Sequence, residues 1–236
     1  MLFFFLTSGG ILNFNIGLLF YSAAFALAYG AALLGSVYSV STGPLSITTL
    51  IMTCSLIIPT LLGIIFLKDD INILGYAGIV LLFIALILVN LKNENMKFSP
   101  VWFLWITVGF FGNGMCSSIQ KLQQLRFNGG YKSEFMIIAL LIVSLFTFFI
   151  GLFKTENLKE TVIGSLKYAP FHGFANGIVN ILVMILIASI PTAILFPSIS
   201  AGGMTIAFII SITVYKEKLS KTQICGYFAG IASVIL

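Results

Sequence analysis

From Met1 to Leu67 the chain carries no Asp, Glu, Lys or Arg, and a second stretch without them runs from Tyr168 to Tyr215. Segments of that length cannot be offered to water. Each is also longer than the roughly 20 apolar residues that cross a bilayer as one helix. Dividing the apolar runs at their Gly, Pro and Asn positions predicts eight spans, near 17–41, 45–67, 71–91, 100–121, 133–153, 170–189, 192–215 and 221–236. The expected fold class is therefore all-α and polytopic. Met1 to Leu6 forms a hydrophobic stump that is too short to span and lacks the positive flank and cleavage site of a secretory signal peptide.

Charge is scarce throughout, at 8% of residues, where a soluble domain has roughly a quarter. The formal net charge of +5 sits in short loops, where basic residues act as topology signals rather than as a nucleic-acid surface. Cys54, Cys116 and Cys225 fall inside predicted spans without zinc-site or disulfide spacing, so they read as small apolar residues. An intramembrane enzyme would need a nucleophile with its base, paired carboxylates or an H-E-x-x-H metal motif. The sequence offers none: Glu134 begins a helix, and Asp69-Asp70 lies in a hinge. No catalytic residue, cofactor or metal site is expected. Without a G-x-x-x-x-G-K-[ST] loop for ATP, any transport would have to run on a gradient.

The chain aligns with itself in one register. Leu67-Lys68-Asp69-Asp70-Ile71-Asn72 lies over Tyr215-Lys216-Glu217-Lys218-Leu219-Ser220, and Gly78 lies over Gly226. Both copies read as an apolar helix, a hinge with both signs of charge, a small polar residue and a Gly-containing apolar helix. Ser220 with Gln223 forms an S-x-x-Q capping box, and Asn72 can cap likewise. Carried backwards, the register leaves the span at 100–121 without a partner. Two helices' worth of sequence, about 50 residues, is then expected ahead of Met1.

These features resemble drug/metabolite transporters of the EamA type, which have ten helices in two five-helix repeats. The matching residues are Gly43-Pro44-Leu45-Ser46 leading into Ile58-Pro59-Thr60, and Lys68-Asp69 with Gly78. In the second half they are Phe196-Pro197-Ser198, then Lys216-Glu217-Lys218-Leu219-Ser220 with Gln223 and Gly226. Asp69 stands where the family usually has Glu. The resemblance implies two inverted repeats, residues 1–92 as a first repeat lacking its first helix and most of its second, and residues 93–236 as a complete second one.

Polar side chains inside a bilayer must pair or face a cavity. His172, Asn176 and Asn180 fall at i, i+4 and i+8, and Asn113, Ser117, Gln120 and Gln124 at i, i+4, i+7 and i+11, each on one helix face. Together with Ser200, near Gly202-Gly203 and after Pro197, these residues are the expected substrate-binding set. Hydrogen-bonded glue between helices is the alternative. His172 could carry a coupling proton or serve as a neutral hydrogen-bonding residue. Tyr21 and Tyr38 read as interface anchors, Pro59 and Pro197 as helix kinks, and Gly173 with Gly177 as a packing step.

The expected function is movement of a small metabolite across a cytoplasmic membrane by alternating access between repeats. The resemblance implies export of amino acids, related metabolites or toxic compounds, although sugar uptake occurs on similar scaffolds. A truncated remnant or a subunit that works only with a partner is the alternative. Expected partners are the lipid bilayer, a small-molecule substrate and a coupling proton or ion, and a homodimer is open to it. The resemblance implies cytoplasmic termini, leaving Lys68, Lys121, Arg126 and Lys132 inside. The opposite loops hold Lys92, Lys97, Lys154, Lys159, Lys167, Lys216, Lys218 and Lys221, which favours the reverse orientation.

Overall fold

The computed structural model describes residues 2–8, 12–13, 15–43, 45–90, 99–154, 163–213 and 220–235. The protein is all-α. Its helices are α1 (Leu2–Thr7), α2 (Ile16–Thr42), α3 (Leu45–Cys54), α4 (Ile57–Leu61), α5 (Ile73–Asn90), α6 (Pro100–Arg126), α7 (Lys132–Lys154), α8 (Ala169–Ser189), α9 (Thr192–Thr213) and α10 (Lys221–Ile235). A π-helical turn, Leu62–Phe66, extends α4. The Lys216-Glu217-Lys218 hinge, Pro44, Lys92, Lys97 and Lys159 lie outside the described residues.

Each expected span corresponds to helix, but among the described residues three helices are long and apolar enough to cross a membrane unaided: Ile16–Thr42, Lys132–Phe153 and Ala169–Ser189. Two of the other expected spans carry local features that set them apart. The second expected span is interrupted between α3 and α4, while the last turns of α6 carry Gln120, Lys121, Gln123, Gln124 and Arg126. The three long helices also leave most of their apolar surface unburied: only 17% of the most apolar window of α8 is covered. Large side chains such as Leu27, Phe153 and Phe171 point away from the protein. That much exposed hydrocarbon calls for an apolar partner or surroundings.

The chain divides into two compact units, each drawing on both sequence halves. One contains residues 1–30 and 119–189, and the other 31–118 and 190–236. In the first, α1, α7, α8 and parts of α2 and α6 bury Phe4, Leu18, Phe25, Phe135, Met136, Met184 and Ile187. Phe25 meets Phe135 edge-on with ring centroids 5.3 Å apart. In the second, α5 and α10 pack around Leu82, Ala85, Leu86, Ala201 and Tyr227, with the Phe208 ring 4.7 Å from that of Tyr227.

Two close approaches in the second unit depend on glycine. A Cβ on Gly35 of α2 would overlap the backbone of Gly109 on α6 and stand 2.8 Å from the Trp105 carbonyl oxygen. The two backbones can touch only because both residues lack a side chain. Beside this crossing Tyr38 stacks on Trp105 at 4.5 Å, so Tyr38 works as a packing ring between helices. Gly173, expected to pack through its G-x-x-x-G step, faces open space, while Gly177 is buried.

Helix ends explain the rest of the architecture. Pro59 has no amide to offer the carbonyl four residues back, and the helix is interrupted there, at Ser55–Leu56. The Ser55 carbonyl instead accepts from Ile58 N at 3.1 Å. Pro197, by contrast, lies inside α9 without interrupting it. The π turn closes with Leu67 N on Leu62 O and Asp69 N on Gly63 O, leaving Lys68 in the left-handed region at φ 54°. Asn72 Oδ1 then accepts from Gly75 N at 2.7 Å and starts α5. Ser220 and Gln223 form the reciprocal capping box of α10, at 3.0 and 3.2 Å.

The hinge also reaches α9. Ala193 N donates to Asp69 Oδ2 at 3.1 Å, setting a carboxylate against the positive end of that helix. Gly63 makes room, since a Cβ there would overlap the same carboxylate oxygen and sit 3.0 Å from Ala193 N.

Two measurements follow. Gly35→Leu should lower the thermal unfolding midpoint in detergent by several degrees, as overpacking a close crossing costs about 1–3 kcal/mol; an unchanged midpoint would mean that α2 and α6 do not cross at this glycine pair. Asp69→Ala should cost about 1 kcal/mol through loss of the cap, and Asp69→Asn should recover part of it because an amide oxygen can still accept. Equal loss in both variants would place the contribution in the charge alone.

Candidate functional site

A carboxamide or phenol in the middle of an apolar helix is costly unless it finds a partner. The first unit holds a chain of such groups. Tyr29 lies at the midpoint of α2, Asn176 and Asn180 are near the middle of α8, and Gln120 comes from α6. Gln120 Nε2 donates to Asn180 Oδ1 at 3.2 Å, and Asn180 Nδ2 donates to the Asn176 side-chain oxygen and, at 3.0 Å, to its carbonyl. Asn176 Nδ2 donates in turn to the Tyr29 hydroxyl at 3.1 Å. Three helices are thereby joined by one polar chain.

The chain is buried at one end and reachable along the rest. Gln120 is 4% exposed, whereas Tyr29, Asn176 and Asn180 are half-buried. Its valences do not all close. Among the described residues nothing accepts the Tyr29 hydroxyl proton and no donor reaches Gln120 Oε1. One turn further along α6, Gln124 Oε1 is fully buried without a partner among the described residues, although its amide nitrogen bonds Gln123.

Two charged groups of the same unit are engaged elsewhere. Lys121 Nζ donates to the Ile187 carbonyl at 2.9 Å, placing a cation on the last turn of α8, where the helix dipole favours it. Glu134, in the first turn of α7, accepts from Asn13 N at 3.3 Å. Both side chains are buried.

The remaining expected residues have other surroundings. Asn113, in the second unit, bridges the interruption between α3 and α4: its Nδ2 donates to Ser55 Oγ at 2.6 Å and to the Met52 carbonyl at 3.4 Å. Irregular backbone inside an apolar fold requires such partners. Ser117 is half-buried and Ser200 buried, and among the described residues neither side chain makes a hydrogen bond. His172 is exposed and its imidazole bonds to none of the chain Tyr29–Asn176–Asn180–Gln120. The structure thus brings together Gln120, Asn176 and Asn180, and gives Asn113 a separate partner.

Two participants escape a sequence reading. Tyr29 was detectable in principle, since a phenol at the centre of a long apolar helix needs a partner whereas tyrosines near helix ends do not. Ser55 carries no comparable signal, because its role depends on the backbone break.

A cavity of about 420 Å³ lies elsewhere in the second unit, lined by residues including Asp70, Asn72, Pro197, Ser198 and Ser233. None of the expected binding residues lines it, and Asn72 Oδ1 and the Ser198 hydroxyl proton already go to local backbone bonds. The hydrogen-bonded chain in the first unit is therefore the better candidate. Among the described residues no three His, Cys, Asp or Glu side chains gather as a metal site, and the cysteines are free.

No protein-family model and no curated protein matches this sequence. A solved structure described only as the crystal structure of a protein is similar at a TM-score of 0.74 and 11% identity. The match covers 98% of this chain and 80% of that one, and at such identity the two share a fold.

Proposed function

We propose that the protein is a multi-pass transporter of the cytoplasmic membrane that moves a small metabolite, as a gradient-driven exporter of the EamA type. In this reading the helices form eight spans in two inverted repeats, the first incomplete, and the polar residues of α2, α6 and α8 form the substrate site. The observation that carries it is the Tyr29–Asn176–Asn180–Gln120 chain, because it places uncharged hydrogen-bonding groups at the centres of two helices apolar enough to cross a membrane. Glue between helices would serve stability with its valences closed. This chain keeps an open donor and an open acceptor, as a binding site needs.

Further support comes from the interruption at Ser55–Leu56 and the π turn that follows. Interrupted helices are common where transporters change conformation, and alternating access needs segments that absorb such motion. Gly63, beside Asp69 and α9, is part of that same stretch. The hinge register shared by Lys68 and Lys216 remains the basis for the repeat.

The test is flux into proteoliposomes from a pool of radiolabelled metabolites, comparing the wild type with Asn176→Leu, Gln120→Leu and Asn113→Leu. The first two should lose at least tenfold in rate while still inserting, since each removes a hydrogen-bonding group from the site. Asn113→Leu should lower stability instead, because it removes the bonds to Ser55 Oγ and the Met52 carbonyl at the helix break. Full flux in Asn176→Leu and Gln120→Leu would remove the site assignment. Correct insertion without flux in the wild type would favour a remnant or a subunit that transports only with a partner.

A further inference from the structure

We infer that the Tyr29–Asn176–Asn180–Gln120 site takes an uncharged solute rich in hydrogen-bond donors, of the polyol or primary-amide class, and rejects ions; the inference rests on the transport reading above. The first ground is the open valences. The Tyr29 hydroxyl offers a donor, and Gln120 Oε1 an acceptor. Gln124 Oε1, one turn along the same face of α6, is an unpaired acceptor on a side chain 3% exposed. A buried polar atom without a partner is costly, so a solute that donates to Gln124 Oε1 gains a bond the empty site forgoes. Two acceptors and one donor match a molecule with at least two donors and one acceptor.

The second ground is charge. The four residues of the chain carry none, and Lys121 and Glu134, the two buried charged residues among the described residues of the unit, are held on Ile187 O and Asn13 N. His172, one turn before Asn176, is exposed and bonds to none of the four. An ion entering the site would meet dipoles without a counter-charge, and an unpaired ion in an apolar interior is strongly penalised. An uncharged solute avoids that penalty while using the same hydrogen bonds. Access comes from the half-buried side of the chain, along Tyr29, Asn176 and Asn180.

The experiment uses the full chain in lipid nanodiscs and follows its thermal midpoint with erythritol, inositol and acetamide, against glutamate, lysine and choline at equal concentration. The uncharged compounds should raise the midpoint and the charged ones should not. Tyr29→Phe, which removes one hydroxyl, should weaken the response on the order of tenfold. Gln120→Glu, a change of one functional group at nearly constant shape, should transfer the response to lysine and choline, which keeps the test decisive even where Gln120→Leu fails to fold. Stabilisation by the charged compounds in the wild type, or by none of the six, overturns the inference. Flux separates it from the reading on which it rests: uncharged compounds that bind without crossing would remove transport and keep the selectivity, whereas flux of a charged compound would do the reverse.

Discussion

The constraint on which this protein depends is that a polar group inside an apolar fold must be hydrogen-bonded by another part of the same fold. At the centre of the apolar helix α8, Asn176 and Asn180 bond each other and reach α2 and α6. The backbone obeys the same rule. Where Pro59 interrupts the second predicted span, Ser55 and Asn113 supply bonds at the break, and where α9 begins, Asp69 supplies an acceptor. Each of these polar residues is thereby tied to a definite place on a neighbouring element, and the apolar side chains fill the space between.

Local signals are what the sequence made legible. Helix positions followed from the distribution of charge and of helix breakers, and the capping roles of Asn72 and Ser220 from residue type and spacing, since a cap needs only its own turn. Asn176 and Asn180 could be placed on one face because four residues make about one turn. Which helix that face would meet was not legible, because periodicity describes one helix and a contact requires two. The Tyr29 partnership and the Gly35–Gly109 crossing are of this second kind.

Other features have equally local causes. Tyr38, read from the sequence as an anchor at the headgroup boundary, stacks on Trp105, a residue of another helix. Gly173 and Gly177 have the spacing of a packing step, but close approach needs an opposing backbone, which Gly173 lacks. Pro197 and Pro59 carry the same chemistry with different results: α9 runs on through the one, and the other lies beside a break that Asn113 can bridge. Residue type sets the need for a partner, and tertiary structure decides how the need is met.

The π turn at Leu62–Phe66 adds a consequence for how this chain can vary. A π turn holds one residue more than the α-helical turn it replaces, so the segment between Leu61 and the hinge contains slack. Loss of a single residue here would let the segment close as an ordinary α-helical turn. Asp69 would keep its place against Ala193, and the helices on either side would keep their length. A one-residue deletion is therefore absorbed more easily in this segment than in the regular helices around it.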